Sequence, residues 1–240
     1  MPPPAQPLAV SLAEPPADPE ATVQEALAHH GRGEIDSAAD LYEAALQAQA
    51  DHPLALHNLG VLRAAQGRAL EAMELIRRAT EADPGSAAGH ANLGALLLAQ
   101  GRTPEAEPCF LRALLADPAN HGAVCGLAEV QAEQGRFDEA ELNYRRALSL
   151  EPRYTPALTG LGIALMRVAR VQEAGDLFCQ ALALQTDSPR AHYNVANALK
   201  ASGRLQEAAI FYREALRLDP AFADAWTNLG NLLRALEDED

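Results

Sequence analysis

Residues 121–154 read HGAVCGLAEVQAEQGRFDEAELNYRRALSLEPRY, and this 34-residue unit decides the fold. It contains a turn glycine, two alanines seven residues apart, a bulky residue between them and a stop proline: Gly135, Ala140, Ala147, Tyr144 and Pro152. Glycine ends a helix because it adopts positive φ at little cost, and proline stops the next helix because it lacks an N–H. The unit therefore predicts two helices, one on each side of the turn.

The unit recurs along almost the whole chain. Turn glycines keep a spacing of 34 residues, with Ala169 at the place of the missing one: Gly33, Gly67, Gly101, Gly135 and Gly203. Five residues after each turn stands an alanine, and four further on a bulky apolar residue: Tyr42, Ile76, Phe110, Tyr144, Phe178 and Tyr212. Small and large residues on one helical face allow neighbouring helices to pack closely. This register gives six full units starting near residues 19, 53, 87, 121, 155 and 189, and half a unit from residue 223.

Leu-Gly pairs in the first helix of several units complete the pattern: Leu59-Gly60, Leu93-Gly94, Leu161-Gly162 and Leu229-Gly230. Together with the period, the alanines and the stop prolines, they resemble the tetratricopeptide repeat (TPR). The resemblance implies an all-α, right-handed superhelical solenoid of antiparallel helix pairs, with six full repeats and a C-terminal half repeat. It also implies that the first helices line a concave groove.

The ends of the chain differ from the repeats in composition. Residues 1–18 contain six prolines and predict a disordered, proline-rich leader. The solenoid is predicted over residues 19–236, and residues 237–240 form an acidic tail.

Composition limits the classes of partner and compartment. The net charge of -14 argues against an electrostatic grip on nucleic acid or anionic lipid. No apolar run is long enough to span a membrane, and the first residues lack the basic and apolar regions of a signal peptide. These features predict a cytoplasmic protein. Lys200 is the single lysine among 19 basic residues, and this arginine- and alanine-rich composition indicates a bacterial source.

Motifs for catalysis and metal binding are absent from the sequence, which contains no P-loop, GxGxxG, HExxH or GxSxG. His121 and Cys125 are four residues apart, but no further ligand has matching spacing. The three cysteines form no CxxC pair. Glu129 and Glu133 stand one turn apart and are interpreted as a solvated helix face. The sequence therefore predicts a non-enzyme with no catalytic residues, no metal and no cofactor.

Asparagines recur at places where the resemblance implies side chains that face the groove. The sixth residue of the first helix is Asn58, Asn92, Asn194 or Asn228 in four units, and Gly126 or Gly160 in two. An amide offers both a donor and an acceptor to the backbone of an extended peptide. The series is similar to the asparagine ladder of the TPR arm in protein O-GlcNAc transferases and their bacterial relatives. The alternative is that each asparagine bonds locally to a neighbouring helix.

The last two units hold the densest group of candidate binding residues. The predicted set is Arg190, Tyr193, Asn194, Asn197, Lys200, Thr227, Asn228, Asn231 and Arg234, with Arg167 at its edge. Basic groups among amides, in a chain this acidic, predict a site for a carboxylate or an acidic peptide.

Trp226 and Leu233 lie on the face that a second helix of the seventh unit would cover. Two interpretations stay open: a terminal cap with tolerated apolar exposure, or a face covered by a second copy or by a downstream domain.

These observations predict a non-catalytic protein–protein interaction scaffold that binds an extended peptide or a partner helix in its groove. The alternative is the substrate-recognition arm of a larger, glycosyltransferase-like enzyme whose catalytic domain is absent from this chain. A third hypothesis is a homodimer formed through the Trp226 end.

Overall fold

The computed structural model describes residues 18–237, and all regular structure within this range is helical. Thirteen helices run in the order α1 (Pro19–Gly31), α2 (Ile35–Ala48), α3 (Pro53–Ala65), α4 (Ala69–Ala82), α5 (Ala87–Ala99), α6 (Thr103–Ala116), α7 (His121–Glu133), α8 (Phe137–Leu150), α9 (Thr155–Arg167), α10 (Val171–Leu184), α11 (Pro189–Ala201), α12 (Leu205–Leu218) and α13 (Ala223–Glu237). They form six helix pairs and a final single helix, which confirms the all-α prediction and the repeat count. The leader predicted over residues 1–18 lies outside the described residues except for Asp18, as do residues 238–240 of the predicted acidic tail.

Side chains that precede the first helices cap several of them. The side-chain oxygen of Asn120 accepts from the Ala123 amide at 2.8 Å, and that of Ser188 accepts from the Ala191 amide at 3.3 Å. Each bond satisfies one of the donors that a helix start leaves free. The second helices α4, α6, α8, α10 and α12 follow an arginine instead, and that arginine pairs with a glutamate in the first turn: Arg68 with Glu71, Arg102 with Glu105, Arg136 with Glu139, Arg170 with Glu173, and Arg204 with Glu207.

The turns between paired helices use left-handed backbone, as the glycine register predicts. The five turn glycines have φ between 69° and 78°. Ala169 holds the same conformation with φ 60°, although a β-carbon there costs about 1–2 kcal/mol. The repeat geometry therefore imposes strain at the one turn that lacks glycine.

The contacts divide the chain into two compact units, Met1–Leu96 and Leu97–Asp240. In the first unit, Tyr42 is fully buried and packs with Val23, Ala38 and Leu59. Alternation of alanine and a large side chain fills this core, as the sequence pattern predicts.

Two hydrophobic cores can be followed in the described part of the second unit. One centres on Tyr144 and Phe178, and the other surrounds Tyr212 between α12 and α13. On the outside, Arg170 bonds Glu173 in α10 and also Glu141 in α8, so neighbouring helix pairs share a charged side chain. Arg136 bridges Glu139 and Glu107 in the same way. No helix between residues 18 and 237 is long and apolar enough to cross a membrane.

Candidate functional site

The last three helices bring four polar side chains into one hydrogen-bonded group. The Tyr212 hydroxyl of α12 donates to Asn197 Oδ1 on α11 at 2.6 Å. Asn228 Nδ2 on α13 donates to the same oxygen at 3.3 Å and to the Tyr193 hydroxyl at 2.9 Å. We call Tyr193, Asn197, Tyr212 and Asn228 the amide–tyrosine cluster.

Aromatic packing fixes this cluster in place. Tyr193 packs against Phe222, with ring centroids 4.9 Å apart, and against Tyr212 at 5.8 Å. Tyr212 is fully buried, and burial raises the pKa of its phenol, so the hydroxyl stays a donor. Sequence reasoning assigned Tyr212 to core packing and missed its polar role. Tyr42 and Tyr144 stand at the same place in their repeats, so the residue type alone gave no signal of this bond.

The bonds within the cluster leave the Asn197 nitrogen and the Asn228 oxygen available to a ligand. Asn197 turns its oxygen toward Tyr212 and Asn228, and within residues 18–237 its Nδ2 meets no acceptor. Asn228 uses its nitrogen, and its Oδ1 receives no bond from the described part of the chain. An extended peptide backbone offers the complementary pair of groups.

Two cations on α11 flank the cluster. Arg190 is exposed and Lys200 is half-buried. They stand ten residues apart, which is about 15 Å along a helix. Among the described residues, neither has an acidic group within 4.0 Å, whereas Arg204, which precedes α12, and Arg217 on α12 are paired. The free positive charges therefore lie beside the amides.

The other residues predicted for this site differ in accessibility. Thr227, Asn231 and Arg234 are exposed on α13, and the Thr227 hydroxyl donates to the Ala223 carbonyl at 3.0 Å. Asn194 is only 6% exposed, which leaves little of its amide for a ligand. Its predicted role in binding has no support from its position.

In the first unit the two asparagines bond locally. Asn58 Nδ2 donates to the Leu54 carbonyl one turn earlier in α3 at 2.9 Å. Asn92 Nδ2 lies 3.4 Å from His57 Nε2, and burial lowers the pKa of that histidine, which favours the neutral ring that can accept. These bonds correspond to the local alternative that the sequence left open.

A pocket of about 510 Å³ lies between α7, α8 and α9, and the sequence analysis did not identify it. Its lining includes Cys125, Glu129, Glu133, Phe137, Tyr144, Thr159, Gly160, Ile163 and Arg167. Arg167, predicted at the edge of the C-terminal cluster, therefore belongs to this pocket. Its volume falls within the range of about 300–1,000 Å³ that ligand pockets span.

Gly160 and Tyr144 both line this pocket and lie against each other. A β-carbon on Gly160 would lie 2.5 Å from Tyr144 Cε1 and 2.6 Å from Cζ, so the ring occupies the space of a side chain. Four other units hold asparagine at this place. Gly160, one of the two glycines that interrupt the asparagine series, lines the pocket.

The pocket walls alter the titration of the groups that line them. Burial raises the pKa of Glu129, and the neighbouring Glu133 raises it further. Burial also raises the pKa of the Cys125 thiol to about 12, so the sulfur stays protonated and is a poor nucleophile. The His121 ring packs edge-on against Tyr154, with centroids 4.7 Å apart. Across residues 18–237, no three histidine, cysteine or acidic side chains come together as metal ligands.

At the Trp226 end, Trp226 is exposed to solvent and Leu233 is half-buried. Trp226 is 56% exposed, and its Nε1 donates to the Pro220 carbonyl at 3.0 Å. Leu233 is half-buried and packs against the Tyr212 core. A homodimer through this end stays a prediction.

Comparison with known proteins identifies the repeat class. The family model described as the cilia and flagella-associated protein 70 C-terminal domain, a TPR model, matches residues 5–235. A sequence comparison with curated proteins finds no match.

Solved structures share the fold. A chain of the APC/C hetero-tetramer Cut9–Hcn1 matches with a TM-score of 0.83 and 17% sequence identity. The match covers 92% of this chain and 44% of that one, so this chain spans less than half the length of that relative. PilW, described as a widely conserved type IV pilus biogenesis factor, matches with a TM-score of 0.75 and 23% identity over 88% and 98% of the two chains. YrrB, described as a TPR protein with an unusual peptide-binding site, matches with a TM-score of 0.56 and 19% identity over 79% and 98%. The similarity to O-GlcNAc transferase arms stays a prediction.

Proposed function

Since this chain belongs to the family of the cilia and flagella-associated protein 70 C-terminal domain, we propose that it is a non-catalytic scaffold that binds an extended segment of a partner protein. The segment lies along the first helices of residues 97–237, and its backbone contacts the amide–tyrosine cluster.

One observation carries this proposal. The cluster holds two amides in a fixed orientation and leaves Asn197 Nδ2 and Asn228 Oδ1 without partners among the described residues. Preorganised groups lose little entropy on binding, so each new hydrogen bond to a peptide contributes more of its energy to affinity. Binding through backbone groups also tolerates varied side chains, as peptide recognition by a repeat scaffold requires.

The charges on α11 set the type of segment that binds here. Arg190 and Lys200 lack acidic partners in the described structure and lie on either side of the cluster. A segment with acidic residues or a terminal carboxylate would pair with them. The electrostatic attraction between the segment and these cations would weaken as the salt concentration rises. The chain-wide charge of -14 would repel such a segment elsewhere.

A paired capture experiment tests the proposal. Lysate of the source organism is passed over the wild type and over the double variant Arg190→Ala/Lys200→Ala, and bound proteins are identified by mass spectrometry. The matched control is Arg112→Ala/Arg213→Ala, which removes two exposed arginines from the second helices α6 and α12. We expect a partner whose affinity falls about tenfold for the first variant and is unchanged for the control. Equal capture by all three would contradict the proposal.

A further inference from the structure

We propose that the pocket between α7, α8 and α9 receives a lysine or arginine side chain of the bound partner segment. The inference rests on the proposed function, because it needs a segment on the inner face of this unit, and it adds a specific anchor to it.

The first support is the shape of the pocket. At about 510 Å³ it is large enough for the longest side chains, and Gly160 and the Tyr144 ring both form part of its wall. Four other units carry asparagine at this place, and Gly126 of α7 is the second glycine, so glycine here is not a property of each repeat.

The second support is an uncompensated charge. Glu129 makes no hydrogen bond and no ion pair within residues 18–237. Glu133, one turn away, accepts a hydrogen bond from the Thr103 hydroxyl. By contrast, Glu107 of α6 and Glu141 of α8 each pair with an arginine. Arg167 lies in the pocket wall but is farther than 4.0 Å from both carboxylates.

The third support is the character of the walls. Phe137, Ile163 and the Tyr144 ring would contact the aliphatic stem of a long side chain while its charged head meets Glu129. Aromatic rings attract cations as well. Glu129 is exposed and has no cationic partner among the described residues, and its partial burial by these walls raises the pKa of its carboxylate.

The alternatives are weaker on physical grounds. An apolar side chain would remove more water from Glu129 without supplying a hydrogen bond, which is unfavourable. An acidic side chain would meet two carboxylates against one arginine. A basic side chain satisfies the carboxylate and covers the apolar wall.

An oriented peptide library tests the assignment. Each pool of short immobilised peptides fixes one amino acid at one position, and bound protein is measured for the wild type, Glu129→Gln and Glu129→Arg. The matched control is Asp40→Asn, which removes one exposed charge from α2, far along the chain from the pocket. Circular dichroism checks that all variants are equally helical.

We expect the wild type and Asp40→Asn to select lysine or arginine at one position by about tenfold, the contribution of one hydrogen bond to a charged group. Glu129→Gln should lose that selection, and Glu129→Arg should select an acidic residue there. The pocket assignment would be overturned if the wild type selected apolar residues, or if Glu129→Gln still selected basic ones. The proposed function would still stand in either case, provided that binding depends on Arg190 and Lys200. Absence of binding to any pool would overturn both.

Discussion

Ala169 shows at the scale of one residue how the repeat geometry overrides local preference. The turn between α9 and α10 has the left-handed backbone of the other turns although its residue carries a β-carbon. We predict that Ala169→Gly raises the free energy of unfolding by about 1 kcal/mol, because it removes the steric strain of positive φ. Urea denaturation followed by circular dichroism measures this change.

The reverse change is the control for Ala169→Gly. Gly135→Ala places a β-carbon at φ 78° and should destabilise the protein by a similar amount. An unchanged or lower stability of Ala169→Gly would show that this turn is relaxed and that φ is not the cause of strain.

Glu129 carries a second prediction at the residue scale. Its folded-state pKa is raised, so the folded protein binds its proton more tightly than the unfolded chain does. The charged and titratable groups facing it are Glu133 and Cys125 on α7, Tyr144 on α8 and Arg167 on α9. Its contribution to stability therefore falls as the pH rises from the ordinary glutamate pKa through the raised one, and then stays constant.

We consequently expect Glu129→Gln to be more stable than the wild type at neutral pH, with the difference vanishing below the ordinary glutamate pKa. Denaturation curves at both pH values measure it, with Asp40→Asn as the control. A wild type that is more stable than Glu129→Gln at neutral pH would mean that Glu129 has a favourable partner.

At the scale of elements, the space around the same repeat position differs between α9 and α13. A β-carbon on Gly162 of α9 would lie 2.4 Å from Phe178 Cε1, whereas one on Gly230 of α13 meets no described atom within 4 Å. We predict that Gly162→Ala destabilises by about 1–3 kcal/mol through overpacking, while Gly230→Ala stabilises by up to about 1 kcal/mol through helix propensity.

Thermal and urea denaturation of the two glycine variants measure these effects. A clear loss of stability in Gly230→Ala would indicate that something packs on this face of α13, such as a second copy of the chain. In that case the loss should depend on protein concentration.

The elements were predictable because their signals are local and repeated. The glycine of each turn, the alanine and the bulky residue after it fixed the helix pairs, and six copies in one register removed the ambiguity. The site was less predictable because its key contacts join residues from different units. The orientation of the Asn197 amide depends on the Tyr212 hydroxyl, and the pocket wall joins the Tyr144 ring of α8 to Gly160 of α9.

At the scale of the whole molecule, two kinds of surface compete as the binding face. The first helices present the amide–tyrosine cluster and its flanking cations. The second helices expose large apolar side chains: Leu70, Leu111, Leu115, Leu142 and Ile210. An exposed leucine is common on a protein surface, so these residues alone do not indicate a site. The second helices are nevertheless the alternative binding surface, and an experiment must distinguish them from the first helices.

Site-specific photocrosslinking in the source lysate tests most directly whether the first helices bind the partner. A crosslinking amino acid replaces Thr227, exposed on α13, in one sample and Leu142, which is 70% exposed on α8, in the other. The proposed function predicts one protein joined through Thr227, with the crosslink lost in Arg190→Ala/Lys200→Ala, and no such product from Leu142. The same protein captured through Leu142 but not through Thr227 would contradict it and place binding on the second helices.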